Sequence, residues 1–233
     1  MPSVLNDPAL ESLLAALHAR SDSQEESLAA YYAVDSDGAQ APRAEDEKSF
    51  LSDKLVALDR DKAEFCYQLC RALEATRVVE AGTSYGVSTL YLAAAVRDNA
   101  LAAGSAAGVV IGTEYEPAKA ASARATFAAA GLSPFIDLRE GDLRQTLRDV
   151  GGLVDFMLVD IWTPMARPAL ELVAPRLRLG AAVICDNTAE YRDEYRDYFD
   201  FIASQSPRLR TTTLPFRGGL ELTVCCEPFR ISA

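Results

Sequence analysis

The feature that most restricts the fold of this chain is a regular alternation of strand and helix patterns that begins at Arg77. Short apolar, β-branched runs predict strands, and alanine- or leucine-containing runs with helical spacing follow them. Strands that alternate with helices in this way lie parallel in one sheet, with helices on both faces. The predicted strands have the sequences RVVEA, GVVIGTE, FIDLREG, VDFMLVD and AAVICDN. The pattern therefore predicts an α/β fold with a doubly wound, mostly parallel sheet.

The two ends of the chain depart from this alternation. Near the C-terminus, two β-rich runs flank residues 217–219, and this arrangement predicts an antiparallel hairpin that closes the sheet edge. Before Arg77, one helical pattern lies in PALESLLAALHAR and a second, long one spans residues 45–75. We therefore predict an N-terminal helical extension over residues 1–49, acting as a lid or a dimer surface, before a main domain over residues 50–233.

The composition disfavours several classes of partner and site. The chain has 34 acidic and 23 basic residues, giving a formal net charge of −11, whereas nucleic-acid binders have basic surfaces. No apolar run is long enough for a membrane span and no secretory signal is visible, so we expect a cytoplasmic protein. The single histidine, His18, falls in the first helical pattern and disfavours a histidine base. Five cysteines without framework spacing predict reduced, buried thiols.

The first strand leads into EAGTSYG, residues 80–86, which predicts a ligand-binding loop. A dinucleotide fingerprint would need glycine at 84 and 87, and a P-loop would need glycine at 87 and lysine at 88. The chain has Ser84, Val87 and Ser88 at these positions, so both interpretations fail. Glycines at 82 and 86 and a helix N-terminus still offer backbone amides to a carboxylate. The alternative is a tight strand-to-helix turn without a ligand.

Acidic side chains follow the later strands, at the edge of the sheet where ligands bind in such folds. Glu114 ends the second strand, where an acid typically accepts hydrogen bonds from ribose hydroxyls, and Asp142 after the third is placed to accept from an adenine amino group. Asp160 ends the fourth strand and Asp186–Asn187 the fifth. Their three oxygen donors suit Mg²⁺ or Ca²⁺. The alternative is that Asp160 orients a ligand and Asp186–Asn187 cap the next helix.

These motifs together resemble those of the class I S-adenosylmethionine-dependent methyltransferases. They are most similar to the divalent-metal-dependent O-methyltransferases, which include catechol and caffeoyl-CoA O-methyltransferases. The resemblance runs from about Phe50 to the C-terminus and includes the closing LPFRGGLELTV. It implies a Rossmann-like, seven-stranded sheet and a methyltransferase domain over residues 50–233.

The resemblance also implies a role for each motif. The loop would hold the methionine part of S-adenosylmethionine, with Glu80 beneath it, Glu114 on the ribose and Asp142 on the adenine. The implied cofactor-binding residues are Glu80, Gly82, Thr83, Ser84, Tyr85, Gly86, Ser88, Glu114, Asp142 and Asp160. Asp160, Asp186 and Asn187 would coordinate Mg²⁺, or alternatively Ca²⁺, and Asp160 would also be catalytic. In the family, the metal chelates two vicinal oxygens of a small acceptor and lowers the pKa of the attacking hydroxyl.

One residue departs from the family pattern. Thr163 stands where the family commonly has a lysine, the proposed base, and threonine cannot act as a base at neutral pH. Glu190, Lys48, Tyr31 and Tyr32 are the alternative candidates for this role. We therefore predict a metal-assisted O-methyltransferase acting on a small aromatic or vicinal-diol acceptor, and a homodimer by resemblance. The alternatives are a metal-independent methyltransferase acting on oxygen or nitrogen, and a non-catalytic adenosylmethionine-binding protein.

Overall fold

The computed structural model describes residues 4–33, 49–105 and 107–228. It divides into two compact units, Met1–Ala57 and Leu58–Ala233. In the first unit, α1 (Pro8–Asp22) begins where the Asp7 side chain accepts a hydrogen bond from the amide of Leu10. The helix α2 (Glu25–Ala33) follows. The predicted role of the first 49 residues, as a lid or a dimer surface, stays a prediction.

The second unit contains one seven-stranded sheet. Its strands are β1 (Arg77–Ala81), β2 (Val109–Glu114), β3 (Ile136–Glu140), β4 (Val154–Val159), β5 (Leu177–Asp186), β6 (Leu209–Leu214) and β7 (Leu220–Cys225). Their order across the sheet is β3-β2-β1-β4-β5-β7-β6. The first five strands run parallel, while β7 pairs antiparallel with both β5 and β6. The predicted fold class, including the antiparallel C-terminal hairpin, is confirmed.

Helices precede, connect and follow the parallel strands. They are α3 (Arg60–Ala72), α4 (Val87–Ala102), α5 (Pro117–Ala129), α6 (Leu143–Thr146), α7 (Thr163–Val173) and α8 (Arg196–Ser204). The central strands are apolar and buried because helices cover the sheet, as a parallel sheet requires. The helix α4 is buried along almost its whole length, which explains its alanine-rich sequence.

The long helix predicted over residues 45–75 is wrong as one continuous helix. Within the described residues of that segment, Ser52–Asp59 lie outside helices, and α3 begins only at Arg60. Phe65 and Leu69 are only partly buried, so the most buried face of α3 is not its most apolar one. The residues that α3 buries are Lys62, Ala63, Cys66, Tyr67 and Cys70. This spacing still marks one helical face, but its first member is charged.

Two further properties concern the described residues as a whole. None of their helices has the length and apolarity that a membrane span needs.

All five cysteines are free, and four of them are buried. Burial raises the pKa of the Cys70 and Cys185 thiols well above the usual value. This environment favours the neutral thiol, in agreement with the predicted packing role.

Candidate functional site

The candidate site lies at the carboxyl end of β1 and β4, where the strand order of the sheet reverses. Gly82 follows β1 with a φ of +99°, and a Cβ atom there would lie 2.0 Å from the carbonyl oxygen of Asp160. The amide of Asp160 in turn donates to the carbonyl of Ala81 at 3.1 Å. Only glycine allows this close approach and this backbone conformation. The contact places the glycine loop, residues 82–86, directly beside the end of β4.

Glu80 lies beneath the glycine loop and is fully buried. Its carboxylate accepts hydrogen bonds from the hydroxyls of Thr83, Ser88 and Thr89, at 2.8, 2.7 and 2.5 Å. Burial raises the pKa of Glu80, while these three hydroxyls act in the opposite direction. The side chains of Thr83 and Ser88, which were predicted to contact the cofactor, therefore point to Glu80. They fix the loop from below and leave its backbone to bind a ligand.

Glu114 connects the glycine loop to the end of β2. Its carboxylate accepts from the amide of Ser84 at 2.7 Å and from the amide of Glu116 at 2.7 Å. Ser84 has a φ of +50°, so this hydrogen bond holds a strained residue in place. Tyr85 follows, and the Lys119 amine lies 5.7 Å from its ring centroid. The structure thus brings the predicted ribose-binding acid and the predicted methionine-binding loop into direct contact.

The residues around the glycine loop fit S-adenosylmethionine. Gly86 caps α4 in a left-handed conformation and supplies no side-chain cap, so the first amides of the helix point outward without a side-chain partner. A Cβ atom at Gly86 would lie 2.3 Å from the Phe127 ring, so this turn also depends on glycine. Helix-terminal amides suit the carboxylate of the methionine part, and Glu114 suits the ribose hydroxyls.

Asp142 caps the short helix α6, where its carboxylate accepts from the amide of Arg144 at 2.9 Å. The Arg144 guanidinium also binds both carboxylate oxygens. These side-chain and backbone bonds from Arg144 lower the pKa of Asp142 to about 2. The predicted adenine contact therefore requires a carboxylate that already has a cationic partner.

The predicted metal ligands come together through the pairing of β4 with β5. Val159 pairs with Cys185, so Asp160 and Asp186 follow on neighbouring strands at the same level of the sheet. We call Asp160, Asp186 and Asn187 the oxygen cluster. Asn187 has a φ of +56°, and its Oδ1 atom would lie 2.5 Å from a Cβ at Gly218 in the turn before β7. The hairpin therefore fixes the position of the Asn187 amide.

Lys62, which the sequence reasoning missed, reaches the oxygen cluster from the first turn of α3. Its Nζ atom donates to Asp186 Oδ1 at 2.7 Å and to Asn187 Oδ1 at 3.3 Å, and it pairs with Asp59 Oδ2 at 3.1 Å. The Lys62 side chain is 1% exposed. Burial lowers its pKa, but the bonds to Asp186 and Asp59 outweigh burial and raise the pKa overall. Lys62 is therefore a protonated, buried ammonium group.

Burial and neighbouring charges shift the pKa values of the two acids in the oxygen cluster. Burial raises the pKa of Asp160 well above its usual value, and the neighbouring Asp186 carboxylate raises it further. Burial likewise raises the pKa of Asp186, while its hydrogen bond with Lys62 acts in the opposite direction. Asp59 has a second cationic partner, because the Arg217 guanidinium lies 2.8 Å from its Oδ1 atom. The site therefore contains three aspartates and two cationic side chains.

This arrangement does not fit the predicted divalent cation. Mg²⁺ binds oxygen ligands at about 2.0–2.1 Å and prefers an octahedral shell. The Lys62 ammonium group occupies the space next to Asp186 and Asn187 where such an ion would bind, and its charge would repel the ion. Among the described residues, no group of three or more histidine, cysteine or acidic side chains has a metal-binding arrangement. The predicted metal site is not confirmed.

The residues considered for the role of catalytic base lie in different parts of the structure. Thr163 begins α7, preceded by Trp162, which is 39% exposed. The Glu190 side chain is exposed, and its amide donates to the carbonyl of Gly218 at 3.0 Å. Tyr31 belongs to the first unit, in α2. Lys48 and the side chain of Tyr32 lie outside the described residues.

Lys62 could have been recognised from the sequence by its spacing. It lies four residues before Cys66, so both residues fall on the same buried face of a helix.

Known proteins similar to this chain carry out methyl transfer. A family model described as "Methyltransferase domain" matches residues 79–188. The catechol O-methyltransferase of Mycobacterium tuberculosis is 27% identical over 183 residues, which cover 78% of this chain and 66% of that protein. The catechol O-methyltransferase of Niastella koreensis is 26% identical over 136 residues, which cover 57% of this chain and 58% of that protein. The chain therefore spans less than two thirds of the length of either relative.

The fold has counterparts among solved structures. The crystal structure of an O-methyltransferase from Bacillus cereus, in complex with S-adenosylhomocysteine (SAH), matches with a TM-score of 0.67 at 20% identity. The match covers 94% of this chain and 91% of that one. This match shows that the chain shares the fold of that O-methyltransferase, and the family model and the curated relatives show that it is similar in sequence to proteins named as methyltransferases.

Proposed function

We propose that this chain transfers the methyl group of S-adenosylmethionine to a hydroxyl group of a small aromatic acceptor. The observation that supports the proposal best is the contact between the glycine loop and the end of β4, where Gly82 meets the backbone of Asp160. This contact puts the cofactor loop beside the oxygen cluster, so that a bound methyl donor and an acceptor would share one crevice. The names of the curated relatives support a catechol-type acceptor.

The residues of the chain would contribute mainly by binding and orienting the two substrates. S-adenosylmethionine supplies an electrophilic methyl group on a sulfonium centre, and transfer requires the acceptor oxygen to lie in line with it. The glycine loop and Glu114 would fix the donor, while the oxygen cluster and the nearby Trp162 would border the acceptor. We further propose that the chain acts as a homodimer on a small molecule, without a nucleic-acid or membrane partner.

Cofactor binding is the first step to test. We expect SAH to bind the full chain with a stoichiometry of one, measured by isothermal titration calorimetry. The variant Glu114→Gln should lower the affinity for SAH by roughly tenfold, since it weakens the acceptor for the ribose hydroxyls and the bond that holds Ser84. Glu116→Gln is the matched control, because this residue bonds Glu114 through its backbone amide, which the substitution keeps, and its side chain makes no cap hydrogen bond to the helix that it precedes. Absence of SAH binding by the wild type would refute the proposal.

The acceptor is the second step to test. Purified chain, S-adenosylmethionine and a panel of catechols, single phenols and aliphatic diols should yield SAH and a methylated product with a catechol. When an aminophenol is included, fragmentation of the product in tandem mass spectrometry, compared with authentic O-methyl and N-methyl standards, distinguishes methylation on oxygen from methylation on nitrogen. SAH binding without turnover on any acceptor would favour the non-catalytic alternative.

A further inference from the structure

The most unusual charge in the described structure is the buried ammonium group of Lys62. A lysine amine has three N–H donors and no acceptor. Three oxygen atoms surround this amine, from Asp186, Asp59 and Asn187, at 2.7, 3.1 and 3.3 Å. The donor capacity of Lys62 is therefore fully used within the protein, and the side chain is held from three directions.

The buried position of Lys62 is energetically unfavourable for a charged side chain. It lies on the face of α3 that buries Ala63, Cys66, Tyr67 and Cys70, where an apolar side chain would pack without a desolvation penalty. A buried charge persists only when it has close partners of opposite charge. Here the partners are two of the residues that the sequence predicts as metal ligands, Asp186 and Asn187. The cation that they bind in the described structure is part of the chain itself.

We propose that the Lys62 ammonium group replaces the divalent cation in this chain, so that methyl transfer proceeds without a metal ion. This inference rests on the proposed methyltransferase function. Lys62 would act as a positioning residue: it neutralises Asp186, orients the Asn187 amide and joins α3 to the ends of β5. It differs from a metal ion in one respect, since an ammonium group with three protein partners leaves no open position for two acceptor oxygens.

A metal-binding measurement on the wild-type chain tests the inference directly. With SAH at saturation, Mn²⁺ is titrated and the free ion is followed by electron paramagnetic resonance, which does not depend on turnover. We expect no stoichiometric binding of Mn²⁺. We also expect kcat/KM with a catechol to change by less than about twofold after removal of metals with EDTA. Tight binding of one Mn²⁺ per chain, or activity lost with EDTA and restored by Mg²⁺, would overturn the inference.

Substitution of Lys62 gives the complementary test. Lys62→Met removes the ammonium group but keeps a side chain of similar length, and it should create a site for one Mn²⁺ per chain. Lys62→Arg keeps the positive charge and should bind no Mn²⁺. Arg217→Met is the matched control, because it removes a cation from the same cluster and leaves Lys62 in place. Near-UV circular dichroism identifies the variants that fold. A folded Lys62→Met variant that binds no Mn²⁺ would contradict the proposal that the Lys62 ammonium group takes the place of a metal ion.

The inference and the proposed function fail in different ways. Without SAH binding by the wild type, the methyltransferase proposal itself is wrong. With SAH binding and stoichiometric Mn²⁺ binding together, the methyltransferase proposal holds and only the role of Lys62 is wrong. The Mn²⁺ measurement on the wild type does not depend on the folding of any variant, so it decides the question even if Lys62→Met unfolds.

Discussion

The two sides of the crevice hold their buried carboxylates by different means. On the side of the glycine loop, the described residues that donate to the Glu80 carboxylate are three neutral hydroxyls, which belong to residues three, eight and nine positions further along the chain. On the side of the oxygen cluster, Asp186 pairs with the Lys62 ammonium group, which is 124 residues away in sequence. One side is built by a local motif, while the other is built by ionic contacts between distant elements.

This difference has consequences for stability and for function. Hydroxyl donors stabilise a buried carboxylate without bringing a second charge into the interior, so each donor is replaceable at moderate cost. An ion pair in the interior stabilises only while both partners remain, because either one alone is a desolvated charge. We therefore expect the glycine loop to control cofactor affinity and the oxygen cluster to control the stability of the fold around the acceptor.

The largest expected effect is that of Gly82→Ala. A Cβ atom at this position would lie 2.0 Å from the Asp160 carbonyl oxygen, and the φ of +99° is strained for alanine. The strain alone amounts to about 1–3 kcal/mol, and the clash must also displace the loop or β4. We expect SAH affinity to fall by at least about 100-fold in calorimetry. Gly131→Ala is the control, because it has a φ of +67° but open space around it, and it should leave SAH affinity unchanged.

The next effect concerns the oxygen cluster and is measured on stability instead of on SAH affinity. Lys62→Met should lower the free energy of unfolding by about 3–5 kcal/mol in urea, because it leaves Asp186 buried without its cation. Arg217→Met removes a side chain that is 77% exposed and should cost less than about 1 kcal/mol. Equal losses of unfolding free energy in Lys62→Met and Arg217→Met would show that the buried Lys62–Asp186 pair contributes no more to stability than the exposed Arg217–Asp59 pair.

The effect of Lys62 should also depend on pH. Its pKa in the folded chain is raised, so its contribution to stability is fully present below the ordinary lysine pKa. That contribution is lost as the pH rises through the raised pKa of the folded state. The difference in unfolding free energy between wild type and Lys62→Met should therefore be constant near neutrality and shrink in strongly alkaline solution. A difference that grows with alkalinity would contradict the assigned ammonium state.

A smaller effect is expected for the hydroxyls beneath the glycine loop. Thr89→Val removes one of the three donors to Glu80 and should lower the free energy of unfolding by about 1.5–3 kcal/mol, as for a hydrogen bond to a charged group. Thr113→Val is the matched control, since this buried hydroxyl makes only a 3.5 Å contact with the Glu80 carbonyl. The loss in Thr89→Val should shrink at acidic pH, where Glu80 is protonated, because a neutral carboxyl group accepts a weaker hydrogen bond than a carboxylate.

The smallest effect is expected at the rim of the cofactor side. Arg144→Gln removes the exposed guanidinium that binds both oxygens of Asp142. The pKa of Asp142, followed by carboxyl-selective NMR titration, should rise from about 2 towards the ordinary aspartate value, because its cationic partner is gone. The ion pair stabilises the wild type above the ordinary carboxyl pKa, and this contribution is lost as the pH falls through about 2. An unchanged pKa would mean that the backbone amide of residue 144 alone holds the carboxylate.

The position of the glycine loop after β1 was predictable from sequence because its parts are close together along the chain. The strand RVVEA was predicted at the residues that form β1, and Glu80 was placed beneath the loop by family resemblance. The sequence did not show that the Thr83 and Ser88 hydroxyls would face Glu80 and leave the backbone to the ligand. Side-chain direction within a tight turn depends on the backbone angles of that turn, which residue spacing alone does not specify.

The oxygen cluster was predictable only in part. Parallel strands end at the same edge of a sheet, so the order of elements in the sequence already predicts that Asp160 lies close to Asp186 and Asn187. The pairing of Lys62 with Asp186 was not predictable in this way. The helical pattern before β1 was predicted as continuous over residues 45–75, and nothing in that pattern marked Lys62 as a buried residue.

The sequence by itself determined the alternation of strands and helices, the sheet that follows from it, and the edge where the acids gather, because periodicity and short connections are local properties. The tertiary structure alone decided which cation meets Asp186. That choice depends on how the first turn of α3 approaches the end of β5, across 124 residues of chain. A long-range ion pair forms only when separate elements have packed at fixed positions, so no local pattern encodes it.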